Sequence, residues 1–229
     1  MGYLVNKFSE IFTLEYFIYL LKCARVSIIV ALCSVIFGTI IGTLLAACRI
    51  SNNKVLKSIA TVYIDIVRGT PMMLQLMLFY FGLPLMIKGY SNMPFSTQVM
   101  ITGIVGMSLN SGAYSAELIR SGIESIDVGQ WEAAKSLGLN RKKIMTLIIL
   151  PQAFKRIIPP MVSEFITLIK DSSLLSSFGA VELLMGAKTI GSKYYSYIIP
   201  LIMAGLIYLT LTTIVAFLSR KLEKGLNND

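Results

Sequence analysis

The sequence predicts an all-α integral membrane protein with five transmembrane helices and a sizeable cytoplasmic loop between the third and the fourth. Three observations carry this expectation. The 229 residues are 55% hydrophobic and only 14% charged, with mean hydropathy +0.72, whereas soluble domains average about 45–50% apolar and 25% charged. Five apolar stretches recur along the chain, and a helix of about 20 apolar residues crosses the hydrocarbon core. Positive charge is also spread unevenly over the segments that join them.

The first span is placed at residues 26–48, around the uncharged run Val26–Ala47 of 22 residues. Ahead of it, Phe8–Leu21 mixes Phe12, Tyr16, Phe17 and Tyr19 with polar residues, the composition of an interfacial helix leading into a span. The second span, residues 59–87, contains Asp65, Arg68, Gly69 and Pro71. Pro71 cannot donate an N–H to the Val67 carbonyl and Gly69 loosens the helix further, so a break is expected there. The third span, 97–119, sets Asn110, Tyr114 and Glu117 three or four residues apart on one helical face. The fourth, 159–178, carries Glu164 and Asp171 seven residues apart, again on one face, beside Lys170. At ~1.5 Å per residue from Pro159, Asp171 falls about 18 Å into the bilayer, just past its middle. The fifth span is 195–218, and residues 1–229 are expected to form a single transmembrane domain.

Segments that would share a side with the C-terminus hold 13 of the 21 Lys and Arg residues, and those on the other side hold 6. The positive-inside rule therefore puts the C-terminus in the cytoplasm and the N-terminus outside. The intervening loop, residues 120–158, is 39 residues long. A piece of that size rarely builds its own core and is expected to pack on a cytoplasmic partner. The net charge of +9 fits the anionic face of a lipid bilayer, and with this composition no nucleic-acid partner is expected.

Several function classes are excluded. The chain has no histidine, which removes His-based triads and His metal ligands. Cys23, Cys33 and Cys48 show no C-x-x-C spacing and read as small hydrophobes, neither a disulfide framework nor a zinc site. No G-x-x-x-x-G-K-[ST] phosphate loop occurs; the nearest approach, Gly186-Ala187-Lys188-Thr189, lacks the glycine before Lys. No catalytic residue, metal ligand or cofactor is expected in this chain.

Gln130–Arg141 reads as a short helix ending near Gly138, followed by a second helix that stops at Pro151, with Ala133 and Ala134 small enough for close approach by a partner. The run Glu132-Ala133-Ala134, then Gly138, then Leu150-Pro151 resembles the EAA signature of permease subunits of ATP-binding-cassette importers. Three further stretches resemble the polar amino acid branch of that family. They are Arg68-Gly69-Thr70-Pro71 with Gln75 and Tyr80–Pro84; Ala113–Glu117 with Arg120 and Gly122; and Pro159-Pro160 with Glu164–Ile166 and Lys170–Leu174. The resemblance runs in one order from Arg25 to Arg220; Ser163 stands where the branch often has Asn, and Ser172 where it often has Thr.

The resemblance implies a type I importer of two permeases, as a homodimer or with a similar chain, and two cytoplasmic ATPase subunits, fed by an extracytoplasmic amino acid binding protein in the inner or plasma membrane of a prokaryote. ATP and Mg would be bound by the ATPase. Glu132, Ala133, Ala134, Gly138 and Arg141 would form the coupling helices that dock on it. The substrate-binding candidates are Gly69, Thr70, Gln75, Asn110, Tyr114, Glu117, Glu164 and Asp171, because broken helices near the midplane turn freed backbone groups toward a cavity. A mid-membrane carboxylate costs about 2.5–3.5 kcal/mol on insertion scales and needs a partner. For Asp171 that partner is the substrate's amino group or, alternatively, Lys170 or Arg68. Arg68 can in turn pair with Asp65 at i, i+3 or hold a substrate carboxylate. Glu117, Glu164 and Asp171 outnumber Lys170 and Arg68, a lean toward a basic amino acid. The rival reading is an ion-coupled secondary carrier with Glu164 or Asp171 as a proton site. An odd number of spans without a repeat argues against it.

Overall fold

A computed structural model of the chain describes residues 10–227. Its regular elements are all helical among the described residues: α1 Leu14–Ile50, α2 Lys54–Arg68, α3 Met72–Met86, α4 Phe95–Glu124, α5 Val128–Ser136, α6 Arg141–Ile144, α7 Leu150–Asp171, α8 Leu183–Tyr194 and α9 Ile198–Asn227. Short 3-10 segments at Tyr90–Asn92 and Ser172–Phe178 precede α4 and α8.

All five apolar stretches are helical, with changed boundaries. The expected interfacial helix is not separate: from Leu14 its residues belong to the 37-residue α1, since no Gly or Pro interrupts the path to Val26 and Glu15 complements the N-terminal dipole. Phe8 and Ser9 lie outside the described residues. On length and apolarity, α1 and α9 can each cross a membrane, and α2 with α3 pass the same test only together, as a broken span or a re-entrant loop. The helices α4 and α7 carry more polar and charged residues. One element went unread in the sequence, α8, whose Gly186 and Gly191 weaken the helical signal.

The chain forms two compact units. One comprises the described residues up to Ser34, Pro71–Met107 and Phe165–Ile214; the other comprises Val35–Thr70, Ser108–Glu164 and the described residues from Val215. The first is cored by Leu20 and Ala24 of α1, Leu183, Ala187 and Ile190 of α8, and Ile199, Met203 and Ile207 of α9. At the end of this cluster Lys193 Nζ donates to Tyr16 Oη at 2.7 Å, and Tyr16 Oη lies 2.8 Å from Tyr194 Oη.

In the second unit α1 packs against α4 through small residues. A β-carbon on Gly42 would come within 2.9 Å of the Ala116 nitrogen and the Gly112 oxygen, so the backbones approach as closely as glycine permits.

The 120–158 segment, expected to lack a core, has one. Ile123, Ile126, Ala134, Ile144, Ile149, Ala153 and Ile157 are buried together, with Ile50, Ile119 and Met161 packed on them. The flanking helix ends supply the apolar surface that the loop alone would lack. The second loop helix also does not stop at Pro151. A π-helical turn, Met145–Ile149, joins α6 to α7 without a break, and Pro151 follows directly where that turn has already interrupted the regular backbone ladder.

Candidate functional site

The break forms where the sequence expected it, with Pro71 between two separate helices instead of inside a kinked one. The helix α2 ends at Arg68, and Gly69 closes it by donating its N–H to the Asp65 carbonyl at 2.9 Å. Thr70 Oγ1 donates to the carbonyls of Ile66 at 2.9 Å and Val67 at 3.4 Å, so the hydroxyl takes up the Val67 carbonyl that Pro71 leaves without a backbone donor. Pro71, at φ −62° and ψ 135°, then opens α3, where Gln75 is buried. The Arg68 guanidinium sits 5.3 Å over the Tyr114 ring, a cation–π contact in place of the expected Asp65 pair.

Along α4, Asn110 is buried and Tyr114 lies under Arg68. Glu117 is engaged on both oxygens. Its Oε1 pairs with Arg49 Nη1 of α1, and its Oε2 accepts from Arg120 Nη2 at 2.8 Å and Nε at 3.2 Å. Arg120 also pairs with Glu124. Arg49 lies 68 residues before Glu117 in sequence, beyond the reach of helical spacing. The pair with Arg49 was therefore not legible in the sequence, which offered Glu117 as part of a polar lining.

Asp171 is the last residue of α7, half-buried where the helix tightens into the 3-10 segment. Ser172 Oγ donates to the Ile169 carbonyl at 2.7 Å, and Lys188 Nζ of α8 donates to Ser176 Oγ at 3.0 Å. Glu164 is half-buried and Lys170 exposed. Of the candidate binding residues, Gly69, Thr70, Asn110, Tyr114, Glu117 and Glu164 belong to the second unit, and Gln75 and Asp171 to the first.

The loop motif is well defined. Asp127 caps α5 by accepting from the Gly129 N–H at 2.7 Å. At its other end Leu139 N donates to Ala134 O at 3.2 Å and Gly138 N to Lys135 O at 2.9 Å, with Gly138 at φ +77°. This is the Schellman pattern, with glycine in the left-handed position after the cap. Glu132, Ala133, Gly138 and Arg141 are exposed, whereas Ala134 is only 2% exposed and belongs to the loop's own core. Trp131, Lys135, Leu139, Arg141 and Ile144 line a surface cleft of about 550 Å³, and Leu137 beside it is 79% exposed.

Sequence reasoning missed Glu182. Its side chain is fully buried and caps α8. A carboxylate immediately before the apolar pair Leu183-Leu184 was the available signal.

An apolar stretch broken at Gly69–Pro71, carboxylates on helical segments and an exposed basic helix–turn–helix fit a membrane transport subunit. Residues 38–228 match the family described as binding-protein-dependent transport system inner membrane component, and the chain belongs to that family. A Rickettsia bellii protein, provisionally named as a glutamine transport system permease, is 42% identical over 193 residues, 84% of this chain and 86% of its own. The arginine transport system permease of Bacillus subtilis is 39% identical over 211 residues, covering 92% and 94%. Among solved structures, an amino acid ABC transporter crystallised with histidines aligns with a TM-score of 0.82 at 32% identity, over 92% of this chain and 95% of that one. The inward-facing methionine ABC transporter MetNI aligns at 0.72 and 18% identity, over 93% and 99%, and shows the shared fold alone.

Proposed function

We propose that this chain is the membrane-spanning subunit of an ATP-driven importer of polar amino acids, working by alternating access through five spans. The observation that carries this reading is the match, over nearly the whole chain, to permeases named for amino acid transport. The exposed, sharply turned loop supports it. Glu132, Ala133, Gly138 and Arg141 lie on that loop's surface, where a cytoplasmic ATPase would dock, and ATP with Mg would be bound by that partner. An extracytoplasmic binding protein would deliver the substrate, and a second permease, identical or similar, would complete the pathway. The chain acts as one transmembrane domain in a prokaryotic inner or plasma membrane.

In the first unit Asp171 holds the substrate's amino group and Gln75 is a further polar contact; in the second unit Gly69, Thr70, Asn110, Tyr114 and Glu164 are candidate contacts of their own. Glu117 serves a different end, since Arg49 and Arg120 occupy it. With Glu117 so occupied, Glu164 and Asp171 equal Lys170 and Arg68 in number, and the charge count no longer leans toward a basic amino acid. The relatives named for glutamine and arginine keep both neutral and cationic substrates in the test panel.

The test is uptake of radiolabelled arginine, histidine, lysine and glutamine into vesicles holding the permease with its ATPase, and into vesicles holding this chain alone. Uptake should require the ATPase, internal ATP and the external binding protein. Uptake by the chain alone, driven by a proton or sodium gradient, would instead establish the secondary-carrier reading.

A further inference from the structure

Glu182 is a fully buried carboxylate whose hydrogen-bond partners are neutral groups. Its Oε1 accepts from Met185 N at 2.7 Å, and its Oε2 accepts from Leu184 N at 2.9 Å, Tyr208 Oη at 2.9 Å and Ser27 Oγ at 3.4 Å. Ser27 Oγ in turn accepts from Leu183 N at 3.4 Å. A carboxylate offers about four acceptor positions, and four donors meet this one, three of them on Oε2. Three successive N–H groups at the start of α8 are thereby satisfied, and the same carboxylate ties that helix to Ser27 on α1 and Tyr208 on α9.

A carboxylate so fully desolvated is a costly way to cap a helix, since Ser, Thr or Asn does this at a helix start without burying a charge. The cap alone does not explain it. Two turns further along, α8 carries Lys188, whose ammonium bonds Ser176 at 3.0 Å. Ser176 lies in the 3-10 segment that begins directly after Asp171. Contacts therefore run from Tyr208 and Ser27 through Glu182 and α8 to Lys188, Ser176 and the segment that bears Asp171 at its head.

We infer that Glu182 is a positioning residue for the substrate site: it fixes the axial placement of α8, so that Lys188 can hold the 3-10 segment and Asp171 in one geometry. This rests on the assignment of Asp171 to the substrate under the proposed function. Glu182 and Lys188 themselves touch no substrate. The apolar core of α1, α8 and α9 remains when Glu182 changes, so the unit should fold without the carboxylate.

The experiment uses the full chain assembled with its ATPase, in a background where Cys23, Cys33 and Cys48 are replaced and a spin label is attached at Ser177→Cys, an exposed position of the 3-10 segment. Glu182→Gln and Lys188→Met should each raise the KM for uptake about three- to tenfold, the scale of one lost hydrogen bond, with the maximal rate and amount of assembled complex preserved. Both should mobilise the label. The double variant should be no worse than the poorer single one, because the two residues act in one series of contacts. The inference is overturned if Glu182→Gln lowers thermal stability while KM and label stay as in the parent, or if the two effects add. Should Glu182→Gln fail to assemble, Tyr208→Phe removes one donor and leaves the cap, and the same KM and label readouts decide. A parent complex that takes up no amino acid defeats the importer reading, and the label measurement still decides whether Glu182 holds the segment.

Discussion

At the scale of single residues, two carboxylates read alike in the sequence have different surroundings. Glu117 is gripped by Arg49 and Arg120, with side-chain exposure of 15% against 20% and 27%. Asp171 stands half-buried at a helix end. Breaking a buried ion pair costs about 3–5 kcal/mol, and partial exposure discounts that here to about 1–3 kcal/mol. Glu117→Gln should therefore lower the unfolding temperature of the detergent-solubilised complex while its residual uptake keeps the parent's substrate affinity. Asp171→Asn should do the opposite. Its melting temperature stays near the parent's, and substrate affinity falls about ten- to a hundredfold if one charge-assisted hydrogen bond is lost. Thermal melts and uptake kinetics on the two variants check both halves, and parent-like uptake in Asp171→Asn would remove that residue from the site.

Helices and turns were legible in proportion to how local their causes are. The break at Gly69–Pro71 and the turn at Gly138 follow from backbone chemistry within four or five residues, and both formed. The continuation of the loop helix through Pro151 depends on a π turn, and the internal core of the loop on Ile50, Ile119 and Met161 outside it. No local pattern announces either. Gly138 gives the prediction that belongs to this scale. At φ +77° it has open space around its absent side chain, so a substitution there is resisted by the backbone and not by neighbours. A β-branched residue in the left-handed region costs about 1–2 kcal/mol. Gly138→Val should thus unwind the end of α5 and reduce ATPase stimulation and uptake, while Gly138→Asn, which tolerates that conformation better, should keep most of both. Equal behaviour of the two variants would show that the turn's conformation does not matter to coupling.

For the whole molecule, the sequence made the helical class and the membrane setting plain, because composition and apolar length are sums over many residues and survive local misreadings. The number of spans does not follow from those sums, since α4 and α7 carry more polar and charged residues. Orientation is carried by another sum, the 13 cations against 6 on the two sets of connecting segments. Cysteines at two exposed positions test it in a cysteine-free background. Asn92, in the 3-10 segment before α4, lies on the predicted outer side, and Ser136, at the end of α5, on the inner. Ser136 is preferable to Asn140, whose side chain accepts from Lys143 N at 2.9 Å and caps α6. A membrane-impermeant maleimide applied to intact cells should label Asn92→Cys, and should label Ser136→Cys only after the membrane is opened. Labelling of both from outside would mean that an even number of crossings separates them, which removes α4 as a span. The reversed pattern would turn the molecule over and place the basic loop on the side where no ATPase could meet it.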